Sequence, residues 1–291
     1  MKISIKNVTM EYHKGVKALK NINLEMNSPN FIGLLGPNGA GKSTFMKILT
    51  SRIQPTHGTI TVDGLPLKQQ ETNLKKSLGY LPQYFGLYDE LTVFEFLDYM
   101  AALKQINENI REKIEAAITA TNLIQKRNAK IKTLSGGQRQ RVGIAQVLLG
   151  DPEFMILDEP TVGLDPEERI KFRNIFSQMA NNKIVLLSTH IIDDIQAVCN
   201  RIIVINHGEI LFDGTSQEMI KSASGHTGLI EAKDNESLNK LIGEKYKVTS
   251  KLFTGSGISC RVVGQEIESG VKIVEPTLED AYTYIISNGG I

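Results

Sequence analysis

A glycine-rich stretch near the amino terminus, GLLGPNGAGKST, has the composition and spacing of a phosphate-binding loop. Backbone N–H groups in such a loop can surround a triphosphate, while Lys42 can reach the β- and γ-phosphates and the Ser43 hydroxyl can bind magnesium. A chance glycine-rich turn is the alternative, but the strand-like run before the stretch and the helical pattern after it favour the phosphate site. The predicted binding residues are Gly36, Pro37, Asn38, Gly39, Ala40, Gly41, Lys42, Ser43 and Thr44.

Two adjacent carboxylates, Asp158 and Glu159, end the apolar run EFMILDEP. Neighbouring side chains on a strand point to opposite faces, but the chain bends where a strand ends, so both carboxylates can approach one nucleotide. Asp158 would then hold magnesium, and Glu159 would orient or deprotonate the attacking water. A solvated acidic turn explains the pair equally well by itself, and the glycine-rich loop elsewhere in the chain favours catalysis.

Two single polar residues also follow strand-like runs. His190 ends NKIVLLSTH, and Gln83 follows the strand-like start of GYLPQ. Isolated histidines and glutamines are usually structural or surface residues, yet the tips of parallel strands are where α/β sheets place ligands. We therefore predict that His190 donates to a γ-phosphate and that Gln83 reaches the magnesium ion or the water.

The stretch TLSGGQRQR, residues 133–141, allows two interpretations. Ser135 could simply cap the helix predicted for QRQRVGIAQVLLG. The paired glycines could instead let the backbone approach an anion, with the helix amino terminus adding partial positive charge.

The elements that must position these residues belong to an α/β fold. Apolar runs alternate with helical patterns over residues 1–220, which predicts a mainly parallel sheet covered by helices, with antiparallel hairpins at GTITVDG and VINHGEILFDG. Residues 84–150 form a predicted inserted helical subdomain. Residues 221–291 form a predicted small α/β accessory domain, with strands at LIEAK, SCRVVG and VKIVE and a helix at TLEDAYTYIIS.

The composition narrows the functional classes. The chain has 291 residues and a formal net charge of +1, so no overall basic field attracts nucleic acid. Its two cysteines, Cys199 and Cys260, lie far apart, which argues against a zinc site or a disulfide framework. The amino-terminal residues have no apolar signal core, and no run approaches the roughly 20 apolar residues of a membrane span. A cytoplasmic location is predicted.

The order GPNGAGKST, Gln83, LSGGQ, MILDEP, GLDP and His190 resembles the ATP-binding cassette (ABC) ATPases over residues 1–220. The resemblance implies ATP and Mg²⁺ as ligands, with Ser43, Gln83 and Asp158 at the metal. It also implies that the LSGGQ segment, Leu134 to Gln138, closes over the γ-phosphate in a second cassette. Ser135, Gly136, Gly137 and Gln138 would then contact that phosphate across a dimer interface.

The resemblance also implies roles outside these segments. Tyr12 matches the aromatic position against adenine, with His13 as the rival candidate, and Asp165 in GLDP matches the loop that links the two sites. Asp165 could at the same time cap the helix that follows it. The apolar residues after Gln83 either pack under the helical subdomain or receive a cytoplasmic helix of a membrane subunit: Tyr84, Phe85, Leu87 and Tyr88.

A single cassette without spans resembles the detached ATPase subunit of a bacterial exporter. This implies an integral membrane permease and a second cassette as partners, in a homodimer on the inner face of the cell membrane. ABC ATPases that act on nucleic acid, the ribosome or cofactor assembly are the alternative. The near-neutral charge, the absence of coiled-coil arms and zinc modules, and the C-terminal region disfavour them.

Overall fold

The computed structural model describes residues 1–12, 15–179, 182–255 and 257–289. Its first elements are β1 (Lys2–Tyr12), β2 (Val16–Asn27), β3 (Asn30–Leu35), α1 (Lys42–Leu49), β4 (His57–Val62) and β5 (Leu65–Pro66). Next come α2 (Glu71–Ser77), β6 (Leu78–Leu81), α3 (Val93–Leu103), α4 (Ile110–Ala120) and α5 (Gly136–Leu148). The remaining elements before the accessory region are β7 (Phe154–Asp158), α6 (Pro166–Met179), β8 (Ile184–Ser188), α7 (Ile192–Val198), β9 (Arg201–Asn206), β10 (Glu209–Gly214) and α8 (Ser216–Ser222).

A six-stranded sheet in the order β10-β9-β3-β8-β7-β6 forms the centre of the fold. All neighbouring pairs are parallel except β9 and β10, which form the predicted antiparallel edge hairpin. The runs predicted as buried strands are β3, β7 and β8, and every residue of β7 and β8 is buried. The expectation of a mainly parallel sheet with helices on both faces is confirmed.

The predicted hairpin at GTITVDG lies in a second sheet, with the order β2-β1-β4-β5. Its strands pair antiparallel and bury alternate residues, because one face packs on the core while the other faces solvent. Helix α1 lies between the two sheets, and Phe45, Met46 and Ile48 share one apolar cluster with residues of both.

The opposite face of the central sheet is covered by α5 and α6, which bury Ile144, Phe172 and Phe176 against β7 and β8. Helices α3, α4 and α5 form the predicted helical subdomain around their own apolar cluster. Helix α3 begins at a capping box in which Thr92 and Glu95 bond reciprocally, with N···O distances of 3.2 and 2.8 Å. The 3.6-residue apolar period and the cap together explain why this segment is helical.

The carboxyl-terminal elements are β11 (Thr227–Ala232), α9 (Asn235–Ile242), β12 (Lys247–Thr254), β13 (Gly257–Val263), β14 (Lys272–Ile273) and α10 (Leu278–Asn288). The four strands form an antiparallel sheet in the order β12-β13-β11-β14. Helix α10 turns back toward the first 220 residues, where Leu278, Ala281 and Ile285 pack with Ile202 and Met219. Residue 220, where the sequence predicted the main fold to end, lies within α8. Because α10 packs on β9 and α8, the accessory region shares an apolar cluster with the preceding fold.

Among the described residues, no helix is both long enough and apolar enough to cross a bilayer.

Candidate active site at the carboxyl ends of four strands

The carboxyl ends of β3, β6, β7 and β8 meet at one edge of the central sheet, because these neighbouring strands are parallel. The glycine-rich loop follows β3, Gln83 follows β6, Asp158 ends β7, and His190 follows β8. A cavity of about 180 Å³ at this edge is lined by Ala18, Pro37, Asn38, Gly39, Ala40, Gly41, Lys42, Ser43, Thr44, Gln83, Asp158 and Glu159. Strand topology therefore brings together segments that lie more than 100 residues apart.

The glycine-rich loop is tightly held at its helix end. Gly41 precedes α1 with a φ of 112°, and a Cβ there would lie 2.6 Å from the carbonyl oxygen of Ala18. Only glycine accepts both constraints. The Lys42 ammonium folds back over the loop and donates to the carbonyl oxygens of Gly36 and Pro37 at 2.5 and 3.1 Å.

Charge around the loop suits a triphosphate. Burial lowers the pKa of Lys42, while the nearby carboxylates of Glu159 and Asp158 raise it in part. The ammonium therefore lacks full hydration, and its donors are held by carbonyl oxygens that a phosphate can replace.

The two carboxylates take different positions because the chain turns sharply between them. Glu159 has a φ of 50°, an uncommon conformation for a residue with a side chain, and its N–H donates to the carbonyl oxygen of Ser188 at 2.8 Å. Burial raises the pKa of Asp158, and the neighbouring charge of Glu159 raises it further, whereas Lys42 lowers it. The chain bend that the sequence predicted at the end of β7 occurs at Glu159, whose backbone is in the left-handed conformation. Both carboxylates line the cavity.

Oxygen donors suited to magnesium are present in the cavity. Ser43, Gln83 and Asp158 bring a hydroxyl, an amide and a carboxylate to it, and Mg²⁺ prefers oxygen ligands. Two adjacent carboxylates, one with its pKa raised by burial, also form a place where a dication relieves repulsion. No group of three or more His, Cys, Asp or Glu side chains in the described residues could hold a metal by itself, so phosphate oxygens would have to complete the ligand set.

His190 contacts the acidic pair directly. Its Nδ1 lies 3.1 and 3.0 Å from the two carboxylate oxygens of Glu159, while the imidazole remains largely exposed. His190 does not itself line the cavity; it contacts the lining residue Glu159 through Nδ1, which leaves Nε2 free of this contact. A neutral imidazole has a single N–H donor, so a γ-phosphate would compete with Glu159 for the hydrogen bond from that donor.

Tyr12 lies beside the glycine-rich loop. Its hydroxyl is 3.3 Å from the Oγ1 of Thr44, and the ring is partly exposed. A partly exposed ring at this end of the loop is available to stack on a base. The rival candidate, His13, lies outside the described residues.

The LSGGQ segment contributes no residue to the lining of its own chain's cavity. Ser135 caps α5 in a capping box, accepting from the Gln138 N–H at 3.3 Å while its own N–H donates to the Gln138 side chain at 3.1 Å. Both interpretations of the serine therefore stay compatible, because a capping hydroxyl at a helix amino terminus is also placed to meet an anion. The two glycines differ: space around Gly136 is open, whereas a Cβ at Gly137 would lie 3.0 Å from a Glu168 carboxylate oxygen.

Asp165 caps α6, accepting from the Glu168 N–H at 2.8 Å. The cap predicted from the sequence is present, and the GLDP loop that contains it begins four residues after Glu159.

The four apolar residues after Gln83 divide into two pairs. Tyr84 and Tyr88 are 86% and 54% exposed. Phe85 packs under α5, where Gly143 leaves room for its ring, and Leu87 packs against the helical subdomain. The sequence predicted packing or docking for the whole set, and the structure supports packing for Phe85 and Leu87 but leaves Tyr84 and Tyr88 on the surface.

A buried carboxylate that sequence reasoning missed lies behind the site. Asp194 on α7 is 1% exposed and accepts from the Thr161 hydroxyl at 2.6 Å and from the Arg173 guanidinium at 2.8 Å. Thr161 follows Glu159 by two residues, and Arg173 belongs to α6. The signal for Asp194 in the sequence was only an acidic pair after His190, which reads as a solvated first turn of a helix.

We expect Asp194→Ala to lower the free energy of unfolding by about 2 to 3 kcal/mol, because it leaves the buried Thr161 hydroxyl and the Arg173 guanidinium without their acceptor. Urea denaturation measures this. The matched control is Asp193→Ala on the same helix turn, where the side chain is exposed and the change should stay within about 0.5 kcal/mol. Equal effects of the two variants would contradict the structural role of Asp194.

Comparisons with known proteins agree with this geometry. The sequence profile described as ABC transporter matches residues 19–162. An uncharacterised ABC transporter ATP-binding protein of Synechocystis sp. is 37% identical over 231 residues, or 78% of this chain and 65% of that protein, slightly under two thirds of its length. YxlF of Bacillus subtilis, also described as an ABC transporter ATP-binding protein, is 34% identical over 86% of this chain and 83% of its own.

A third relative is named for its cargo. The Nod factor export ATP-binding protein I of Cupriavidus pinatubonensis is 31% identical over 77% of this chain and 69% of that protein. Among solved structures, a dimeric ATP-binding cassette in a post-hydrolysis state with ADP and Pi matches with a TM-score of 0.66 and 29% identity, covering 73% of this chain and 98% of that one. The chain therefore belongs to the ABC transporter family and is an ATP-binding ATPase of that family.

Proposed function

We propose that the chain binds ATP with Mg²⁺ and hydrolyses it as one of two identical cassettes that drive export through a separate membrane permease. The observation that supports this most directly is the separation of the two phosphate-binding elements. Lys42, Asp158 and Glu159 line one cavity, while Ser135 presents its helix amino terminus elsewhere on the surface. A second copy of the chain would bring its Ser135 to this cavity, and two-fold symmetry would complete both sites at once.

Within each site, the chain's residues have distinct tasks. Backbone N–H groups of residues 38–44 hold the phosphates, and Lys42 exchanges its carbonyl contacts for the β- and γ-phosphates. Glu159 orients the attacking water and accepts its proton, because its carboxylate is fixed at the strand end and faces the cavity. Ser43, Asp158 and Gln83 would hold Mg²⁺, which would neutralise charge on the phosphate oxygens.

Two further side chains complete the proposed site. His190 gives up its contact with Glu159 and donates to the γ-phosphate instead, so the hydrogen-bond partner of this imidazole changes when ATP binds. Tyr12 stacks on adenine beside Thr44. On the partner side, Ser135 to Gln138 cover the γ-phosphate, and Asp165 connects the two sites.

Export is the transport direction that the relatives favour, because one of them is named for Nod factor export. The permease would hold the chain at the inner face of the cell membrane. We further propose that residues 221–291 form an accessory unit that supports dimer contact or regulation without a catalytic residue. Its helix α10 packs on β9 and α8, so a change in that unit can reach the main fold.

The permease would dock on the exposed aromatic surface formed by Tyr84 and Tyr88. Tyr88 stacks edge-on against Tyr99 with ring centroids 5.4 Å apart, which extends the surface onto α3. Gln83 precedes Tyr84 and lines the nucleotide cavity. The permease would therefore contact residues 84–88 while the γ-phosphate contacts the adjacent Gln83, and a shift of this segment would couple the two.

We expect Tyr84→Ser to reduce the recovery of a multi-span membrane protein with the tagged chain by about tenfold, because an aromatic anchor is lost from the interface. The measurement is affinity purification from detergent-solubilised membranes, with melting temperature and basal ATPase activity recorded in parallel. Phe253→Ser is the matched control, since Phe253 is 74% exposed on the distant strand β12. Unchanged recovery with Tyr84→Ser, or absence of a multi-span protein from the wild-type sample, would contradict the proposal.

A further inference from the structure

Three consecutive side chains after the LSGGQ segment contact three other parts of the site. Arg139 donates to Asp89, which lies just after the Tyr84–Tyr88 segment, at 2.7 Å. Gln140 donates to the carbonyl oxygen of Pro160, next to Glu159, at 2.7 Å. Arg141 donates to Glu168 on α6 at 2.7 Å. Helix α5 is thus connected to each neighbouring segment by a separate side chain.

The Arg141–Glu168 contact is the more buried of the two ion pairs among these three contacts. The side chains are 9% and 21% exposed, and the Nε of Arg141 has no hydrogen-bond partner in the described part of the chain. A buried guanidinium needs its counter-charge, because an uncompensated charge in this environment is strongly unfavourable. The position of α5 relative to α6 therefore depends on this carboxylate.

Glu168 also contacts both segments that reach toward a second cassette. Its side chain lies against Gly137, where a Cβ would meet it at 3.0 to 3.3 Å. Its N–H is the group that the Asp165 carboxylate caps, at 2.8 Å. One residue thus contacts the LSGGQ segment through its side chain and the GLDP loop through its backbone. The open space at Gly136 and the filled space at Gly137 show that the second glycine accommodates Glu168.

We infer that Glu168 is a positioning residue that holds Ser135 and Asp165 as one unit and presents both to the second cassette. This inference rests on the proposed composite site. The inference predicts that a change at Glu168 affects the two composite sites of the dimer unequally. Loss of the Glu168 charge should impair the site in the partner, to which this chain donates Ser135, more than the site built on its own Lys42.

A mixed dimer separates these effects. One chain carries Lys42→Ala and keeps its LSGGQ segment, while the other carries Ser135→Arg and keeps its phosphate loop, so a single composite site remains. Glu168→Gln is then placed in either chain, and ATP turnover and melting temperature are measured. Glu167→Gln is the matched control, because Glu167 is the preceding residue on α6 and its side chain is 83% exposed.

We expect Glu168→Gln in the Lys42→Ala chain to lower turnover by about tenfold or more, since a small misplacement of Ser135 is costly in a preorganised site. The same change in the Ser135→Arg chain should lower it by less than about twofold, and Glu167→Gln should have no effect in either chain. Equal losses in both placements would show a merely structural pair and overturn the inference alone. A parent mixture that dimerises without recovering activity would overturn the composite site and the inference together.

Discussion

Glu159→Gln is expected to bind ATP while hydrolysing it at least about a hundredfold more slowly than the wild-type chain. The amide keeps the size of the side chain and the left-handed backbone at this position, but it cannot accept a proton from water. It also removes a negative charge next to Asp158 and the entering triphosphate, so ATP binding should be retained or strengthened. The variant should therefore accumulate as an ATP-bound dimer.

Steady-state turnover and equilibrium binding of ATP measure the two parts of this prediction. Glu153→Gln is the matched control, because Glu153 lies next to the amino end of β7, is exposed, and undergoes the same chemical change away from the cavity. Near-normal turnover of Glu159→Gln would mean that another group activates the water, and His190 would be the first candidate because its imidazole contacts Glu159.

The central sheet could be predicted because its strands have an unambiguous pattern. Residues 154–158 and 184–188 are continuous apolar runs that end in polar residues, and such runs are buried in parallel sheets. The strand ends then placed Asp158 and His190 at one edge without further information. Strand β12 was missed for the opposite reason: KVTSKLFT is mostly exposed on a sheet edge and shows neither a continuous apolar run nor regular alternation.

The burial of individual side chains around the site could not be predicted, because it depends on packing between residues far apart in the sequence. Phe85 and Tyr88 look alike in sequence, but Phe85 turns inward because Gly143, far along the chain, leaves room for its ring. Asp194 resembles any acidic residue in a first helical turn, while its partners Thr161 and Arg173 lie 33 and 21 residues away. Whether a polar or aromatic side chain is buried depends on such long-range contacts, which the local pattern of polar and apolar residues does not reveal.

The second prediction concerns cooperation between two chains. Lys42→Ala and Ser135→Arg should each be inactive alone, because the first removes the ammonium at the β- and γ-phosphates and the second fills the approach to the LSGGQ segment. Mixed in equal amounts, they should recover roughly a quarter of wild-type activity, since random pairing gives about half mixed dimers with one intact site of two. The reason is the geometry: Ser135 lies outside the cavity that contains Lys42.

Ser135→Arg has a second effect that must be separated from the first, because Ser135 also caps α5 through the capping box with Gln138. Loss of such a cap costs about 1 kcal/mol of stability and would by itself leave a folded chain. Thr215→Arg is the matched control, since Thr215 forms the same capping box with Glu218 on α8, away from the nucleotide cavity. We expect Thr215→Arg to keep its ATPase activity and Ser135→Arg to lose it at similar melting temperatures. Mixed dimers of Lys42→Ala and Ser135→Arg that form but stay inactive would instead place the LSGGQ segment outside the catalytic site of either chain.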